Sequence, residues 1–222
     1  MIKEIQRALK LLKYSPDKNN DLMSLIFILG LYVLNLYIHK GIGNPEWMLS
    51  SRIIFAGLPL YFVQLYYKLD CIGICKSSPY RKKVQIYWPL YFSACISLII
   101  YTLLLVALNG NALPDEWGIA NRSMEIFEMG YTFFLWYMFY SVVYKFFAVG
   151  FIGLFLGYAI VPILEHNDVF CEYIGKSVFR GTVIGYIFVI FGFVMYIVIS
   201  KRMFRKDLSK HAYSFMKKYK SA

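Results

Sequence analysis

Histidine occurs three times in the 222 residues and cysteine four times, and acids are few beside bases, 13 Asp and Glu against 24 Lys and Arg. Each shortage removes a class of chemistry. Cys71 and Cys75 stand four apart, a spacing that fits neither the two-residue redox motif nor the common zinc pairs, and Cys95 and Cys171 are isolated. His39, His166 and His211 are scattered and lie in no run of carboxylates. The chain has no GxSxG elbow, no HExxH helix and no GxxxxGK[ST] phosphate loop. No catalytic residue, metal site or cofactor is therefore assigned to the chain itself.

Charge is also nearly missing from six long apolar runs: Leu22 to Ile38, Met48 to Tyr67, Val84 to Leu108, Ile126 to Tyr144, Phe146 to Leu164 and Thr182 to Ser200. A hydrocarbon core of about 30 Å needs roughly 20 mostly apolar residues in a helix, so each run is a candidate span. None alternates with the period of two that a membrane barrel strand requires. The expectation is an all-α polytopic membrane protein of six transmembrane helices. It would form a single transmembrane domain over residues 1–222, with an interfacial helix at 1–16, the spans at 22–200 and a basic cytoplasmic tail at 201–222.

Few ionisable groups fall inside those runs, which disfavours an ion or proton path. Glu128, near the outer end of the fourth run, is read as an interfacial group that snorkels or pairs. Asn35, Gln64, Ser93, Ser97, Thr102 and Ser141 are read as hydrogen-bonding links between helices. Gly153 and Gly157 make a small-residue pair at the spacing of close helix packing.

What is present in quantity is positive charge, +11 in all, and its placement follows an alternating topology. Lys3, Arg7, Lys10, Lys13 and Lys18, the loop with Lys68, Lys76, Arg81, Lys82 and Lys83, Lys145, and the tail after Ser200 fall on one side. Most acids, among them Glu125, Glu128, Glu165, Asp168 and Glu172, fall on the other. Positive charge stays inside, so both termini are expected in the cytoplasm. The bases would hold anionic lipid headgroups, with no role for nucleic acid. Tyr37, Trp47, Tyr66, Tyr67, Trp88 and Trp117 are expected to form interfacial belts.

Between the spans the pattern is equally directive. Ile2, Ile5, Leu9 and Leu12 share one face of an amino-terminal amphipathic helix. The run from Ile126 to Leu164 is twice the bilayer thickness, so a tight hairpin at Lys145 is predicted, carrying that charge to the cytoplasm. Residues 165–181 hold Val169, Phe170, Tyr173, Ile174, Val178 and Phe179 at helical spacing, which predicts a pair of short helices dipping into the outer leaflet. In the loop KLDCIGICKSSPYRKK, from Lys68 to Lys83, an apolar patch precedes a basic cluster, read either as a solvated loop or as a docking surface.

A flat basic amino-terminal helix, six spans, this loop after the second span and the amphipathic connection before the sixth together resemble the membrane subunit of type-2 ABC exporters over essentially the whole chain. The segment Lys76 to Val84, KSSPYRKKV, looks like that family's proline followed by a basic pair before the third span. The compact size is most similar to small permeases of bacterial peptide exporters, including those that expel amphipathic cytolytic peptides such as phenol-soluble modulins. The resemblance implies an elbow helix at Ile2 to Tyr14 and a coupling segment to a separate ABC ATPase, with Ile72, Ile74, Ser78, Pro79, Tyr80, Arg81 and Lys82 as its contacts. It also implies a second copy or paralogue of the permease, ATP and magnesium on the partner ATPase, and a multi-pass position in the bacterial plasma membrane. Phe133, Trp136, Tyr137 and Tyr140, with Phe134, are candidates to line the path, lipid-facing packing being the alternative for most of them. An integral membrane enzyme and a non-transporting sensor or assembly subunit are the rival readings. The enzyme would require acids, histidines or metal ligands gathered at one depth.

Overall fold

The structure, a computed structural model, describes residues 6–8, 10–11, 23, 26, 56–71, 79–109, 118–206 and 210. Every regular element among them is helical. A short 3-10 turn, Leu58–Leu60, opens α1 (Tyr61–Cys71), and Pro59 sits in that first turn, where its missing N–H would have had no helical partner. A single π turn, Lys83–Tyr87, leads into α2 (Trp88–Asn109). Then come α3 (Ile119–Val142), α4 (Phe147–Glu165), the short α5 (Asp168–Gly175) and α6 (Val178–Met203).

Among the described residues three helices are long and apolar enough to cross a membrane, Lys83–Val106, Phe147–Glu165 and Val178–Met203. Their outward faces carry side chains such as Leu103, Phe155, Leu156, Ile163 and Ile190, all more than half exposed. An apolar surface of that extent aggregates in water, whereas lipid covers it without cost. Of the other three expected spans, the first lies outside the described residues apart from Met23 and Ile26, and the second is described from Ala56 onward. The fourth is α3, whose 24 residues extend about 36 Å, but it falls short of the other three in apolar content because it is the central helix. It begins at Ile119, seven residues before the expected start, and takes in Arg122, Glu125 and Glu128.

α3 and α6 form the most extensive helix pair. On α6 the buried residues Gly181, Gly185, Val189, Gly192, Tyr196 and Ser200 recur every three or four positions, and α3 presents Ser123, Ile126, Gly130, Phe133 and Tyr137 at matching spacing. Lipid tails offer helices no hydrophobic reason to associate, so close backbone packing supplies the attraction. Gly130 and Gly185 meet backbone to backbone, and a Cβ at Gly130 would stand 2.5 Å from the Gly185 Cα. The Gly153 and Gly157 pair does not form such a seam within the chain. Gly157 packs on Leu135 of α3, while Gly153 faces open space.

The predicted hairpin is present. α3 ends at Val142 and α4 starts at Phe147, and the turn centres on Lys145. Its side chain is not held out at an open surface, however: it is 6% exposed, and Nζ donates to the Lys206 carbonyl at 2.6 Å. The end of α6 lies over the turn and covers it.

The connection from 165 to 181 contains one short helix rather than two, because Val178 and Phe179 already belong to α6. Asn167 Oδ1 caps α5 by accepting from the Phe170 N–H at 3.0 Å, and Ser177 caps α6 through the Arg180 N–H. Ser123 of α3 pins the junction, its hydroxyl lying 2.7 Å from the Ile174 carbonyl and 3.0 Å from that of Ser177. Ser123→Ala removes the hydroxyl that ties the buried Ile174 carbonyl to that of Ser177, which keeps the Arg180 N–H, and is expected to lower stability by about 1–2 kcal/mol, read as thermal unfolding of the detergent-solubilised protein.

Candidate functional site at the basic end of the bundle

α1, α3 and α6 all finish at one end of the bundle, and α2 and α4 start there. The alternation places Lys68, Arg81, Lys82, Lys83, Lys145, Lys201 and Arg202 together, and none of the side chains described at this end is acidic. The opposite end holds Glu125, Glu128, Glu165, Asp168 and Glu172. The charge asymmetry read from the chain is thus a property of the folded bundle.

Aromatic rings hold the basic groups in place. Pro79 and Tyr80 form a turn before Arg81 and Lys82. The Tyr80 ring stacks on Trp88 at 6.4 Å. The Arg7 guanidinium, from the amino-terminal segment, lies 5.9 Å from the Tyr80 centroid and donates from Nη1 to the Tyr80 hydroxyl at 3.3 Å, and the Lys83 ammonium is 5.9 Å from the same centroid. Arg81 sits over Phe204 at 5.6 Å and Lys201 over Tyr87 at 5.6 Å. Such contacts orient a cation against the ring face.

Beneath this surface, Ala8 packs with Tyr66, Leu69, Val84 and Trp88, and Tyr67 stacks on Tyr144 of the hairpin at 4.0 Å. Tyr66, Tyr67 and Trp88 are therefore buried in packing between elements, not spread as an interfacial belt as their positions near span ends had implied. The amino-terminal segment covers Tyr66 and Trp88 through Ala8 and Leu11. Tyr37, Trp47 and Trp117 lie outside the described residues.

Of the coupling residues expected from the sequence, Pro79, Tyr80, Arg81 and Lys82 stand on this basic face, and Ile72, Ile74 and Ser78 lie outside the described residues. Arg7, Lys201 and Phe204 join them from distant parts of the chain. The signal for them was topological, since both the amino-terminal helix and the end of the last span were expected on the same side as the loop. Of the remaining amino-terminal helix, Gln6, Ala8, Lys10 and Leu11 are helical, while Ile2, Ile5, Leu9 and Leu12 lie outside the described residues.

The candidate path residues occupy a different region. Phe133 and Tyr137 are fully buried in the main core with Tyr101, Val189 and Tyr196. Phe134 packs between Phe188 and Phe191 of α6, and Trp136 and Tyr140 stack on one another at 5.8 Å at its edge. Phe133 and Tyr137 thus face protein rather than lipid, while Phe134, Trp136 and Tyr140 are partly exposed. Two of the polar links expected between helices are present, Ser97 with the Tyr137 hydroxyl and Thr102 with the Tyr186 hydroxyl, both at 2.8 Å. Ser93 donates to the Leu90 carbonyl of its own helix and also makes a side-chain hydrogen bond with Tyr137, whereas Ser141 donates to the Met138 carbonyl of its own helix.

At the acidic end a groove of about 310 Å³ is lined by Ala120, Asn121, Met124, Glu125, Glu128, Glu165 and Cys171. Glu128 is 3% exposed, so it lies within the bundle and does not snorkel to the interface. The early start of α3 puts it more than two turns into the helix. Among the described residues no three His, Cys, Asp or Glu side chains are arranged to hold a metal ion.

Among the described residues the fold is all-helical, with three helices able to span a membrane and a strongly basic end. No protein-family model, curated protein or solved structure matches this chain.

Proposed function

We propose that the chain is the membrane subunit of an ATP-driven exporter with type-2 ABC organisation. Two such subunits, identical or related, form the path for an amphipathic substrate, a peptide by preference, and separate ATPase subunits bind at the basic end and supply ATP and magnesium. That end faces the cytoplasm of a bacterial cell. The chain carries no catalysis of its own. Closure of the ATPases moves the segment from Ile72 to Arg81, and the spans follow as a rocking bundle.

The observation that carries this reading is the basic face itself. Tyr80 and the start of the helix behind it are clamped to Arg7, Trp88 and Phe204, so a force applied at the loop reaches the beginning of α2 and the end of α6 together. A mobile solvated loop would not transmit it.

Affinity purification of the tagged chain from its native cell in mild detergent tests the proposal. A stoichiometric ABC-class ATPase is the expected companion. Its reproducible absence, under conditions that keep other membrane complexes whole, overturns the exporter assignment.

A further inference from the structure

One stripe of α2 is arranged like a lipid. Lys83, Tyr87, Tyr91, Cys95 and Ile99 recur every four residues, and Tyr91 and Ile99 are more than half exposed. α6 closes one side of the stripe at two points. At the basic end, Lys201 places its ammonium 5.6 Å from the Tyr87 centroid, and Tyr87 in turn lies 6.4 Å from Tyr91. Deeper along the helices, Thr102 and Tyr186 share a hydrogen bond of 2.8 Å.

Read from the basic end, the seam offers cations, then two phenols, then an apolar stretch that ends at the first polar pair. The eleven steps from Tyr91 to Thr102 extend about 16 Å, close to the ~15 Å hydrocarbon depth of one leaflet. Lys201 is exposed and its ammonium is held on an aromatic face, an arrangement that leaves its N–H donors directed toward an anion. A neutral lipid would satisfy the apolar stretch but bring no counter-charge to the exposed Lys201 ammonium.

We propose that this seam between α2 and α6 is a binding site for one anionic phospholipid. Its phosphate sits at Lys201 with the Tyr87 and Tyr91 hydroxyls donating to it, and an acyl chain lies along Cys95 and Ile99. The site requires only that the chain resides in a bilayer, and it is independent of the exporter assignment.

The test uses the full chain reconstituted in equal parts phosphatidylcholine and phosphatidylglycerol, extracted in mild detergent and purified, with retained lipid counted by mass spectrometry. Phosphatidylglycerol is expected to be enriched over phosphatidylcholine. Lys201→Gln is expected to reduce the enrichment about fivefold, the loss of one juxtamembrane cation. The double variant Tyr87→Phe with Tyr91→Phe, which changes no charge, is expected to reduce it about threefold through two lost phenol donors. Lys176→Gln, the same charge removed at the opposite end, is expected to leave it unchanged.

A tyrosine variant that binds like the parent overturns the proposal in favour of diffuse attraction to a basic surface. So does an equal loss in Lys176→Gln. Displacement of the lipid by inorganic phosphate alone also overturns it, because the site would then read a free anion and not a lipid. The assay contains no ATPase, so failure of the exporter reading leaves its outcome intact.

Discussion

Gly185→Val is expected to abolish the folded bundle, with the protein lost to aggregation or degradation before it can be purified as a single species. A side chain at 185 has nowhere to go. A Cβ there would overlap the Tyr101 hydroxyl, which donates to the Ile126 carbonyl, and would stand 3.0 Å from that carbonyl oxygen. Gly130 is on the facing helix in backbone contact, so the strain cannot be relieved by a rotamer change and must part α3 from α6. Overpacking of a tight core usually costs about 1–3 kcal/mol. Here the nearest obstacle is the hydroxyl of a fully buried tyrosine with the Ile126 carbonyl behind it, and the expected loss exceeds about 3 kcal/mol. Gly153→Val is the matched comparison, since nothing lies within 4 Å of the added carbon, and it should unfold within about 0.5 kcal/mol of the parent. Thermal unfolding and size-exclusion profiles in detergent measure both. Similar behaviour of the two variants would disprove the seam.

The second large effect concerns the basic face. Arg81→Glu combined with Lys82→Glu should reduce capture of the partner ATPase by more than about tenfold, since opposed like charges suppress docking strongly. Export of an amphipathic peptide should fall with it. Insertion into the membrane should be normal, because neither residue belongs to a helix seam. Export unchanged at equal expression would remove this segment from the coupling role.

Much of this architecture was legible in the chain. The long apolar runs mark α2, α4 and α6 because a membrane helix must be apolar wherever lipid touches it, and the hairpin at Lys145 follows from length alone. α3 was legible as a helix but not as the central one. Its Glu125, Glu128 and Arg122 argued for an earlier loop, whereas in a helix surrounded by others such groups face protein and need not be excluded.

The glycine seam was only half legible. Gly185 and Gly192 are visible in the last apolar run, but nothing in one sequence pairs them with Gly130, because small residues look alike whether they meet a neighbour or open space. The aromatic residues misled for the same reason. Tyr66 and Trp88 are placed where interfacial anchors would be, yet the amino-terminal segment covers them. Burial by a part of the chain distant in sequence leaves no local pattern. The basic face was legible as charge and as topology, while the rings that fix each cation were visible only after folding.

The order of synthesis gives the α3 and α6 pairing a further meaning. The ribosome completes α3 long before Val178 emerges, so a nascent chain holds in the bilayer a helix whose Ser123, Gly130 and Lys145-bearing end have no cover. α6 supplies it for Gly130 and Lys145, by filling the glycine seam and by bringing the Lys206 carbonyl to Lys145, and the Ile174 carbonyl of α5 joins in covering Ser123. Chains truncated before that point expose a polar, loosely packed helix, the kind of feature that membrane quality control removes. Completion of the bundle is therefore also its proofreading step.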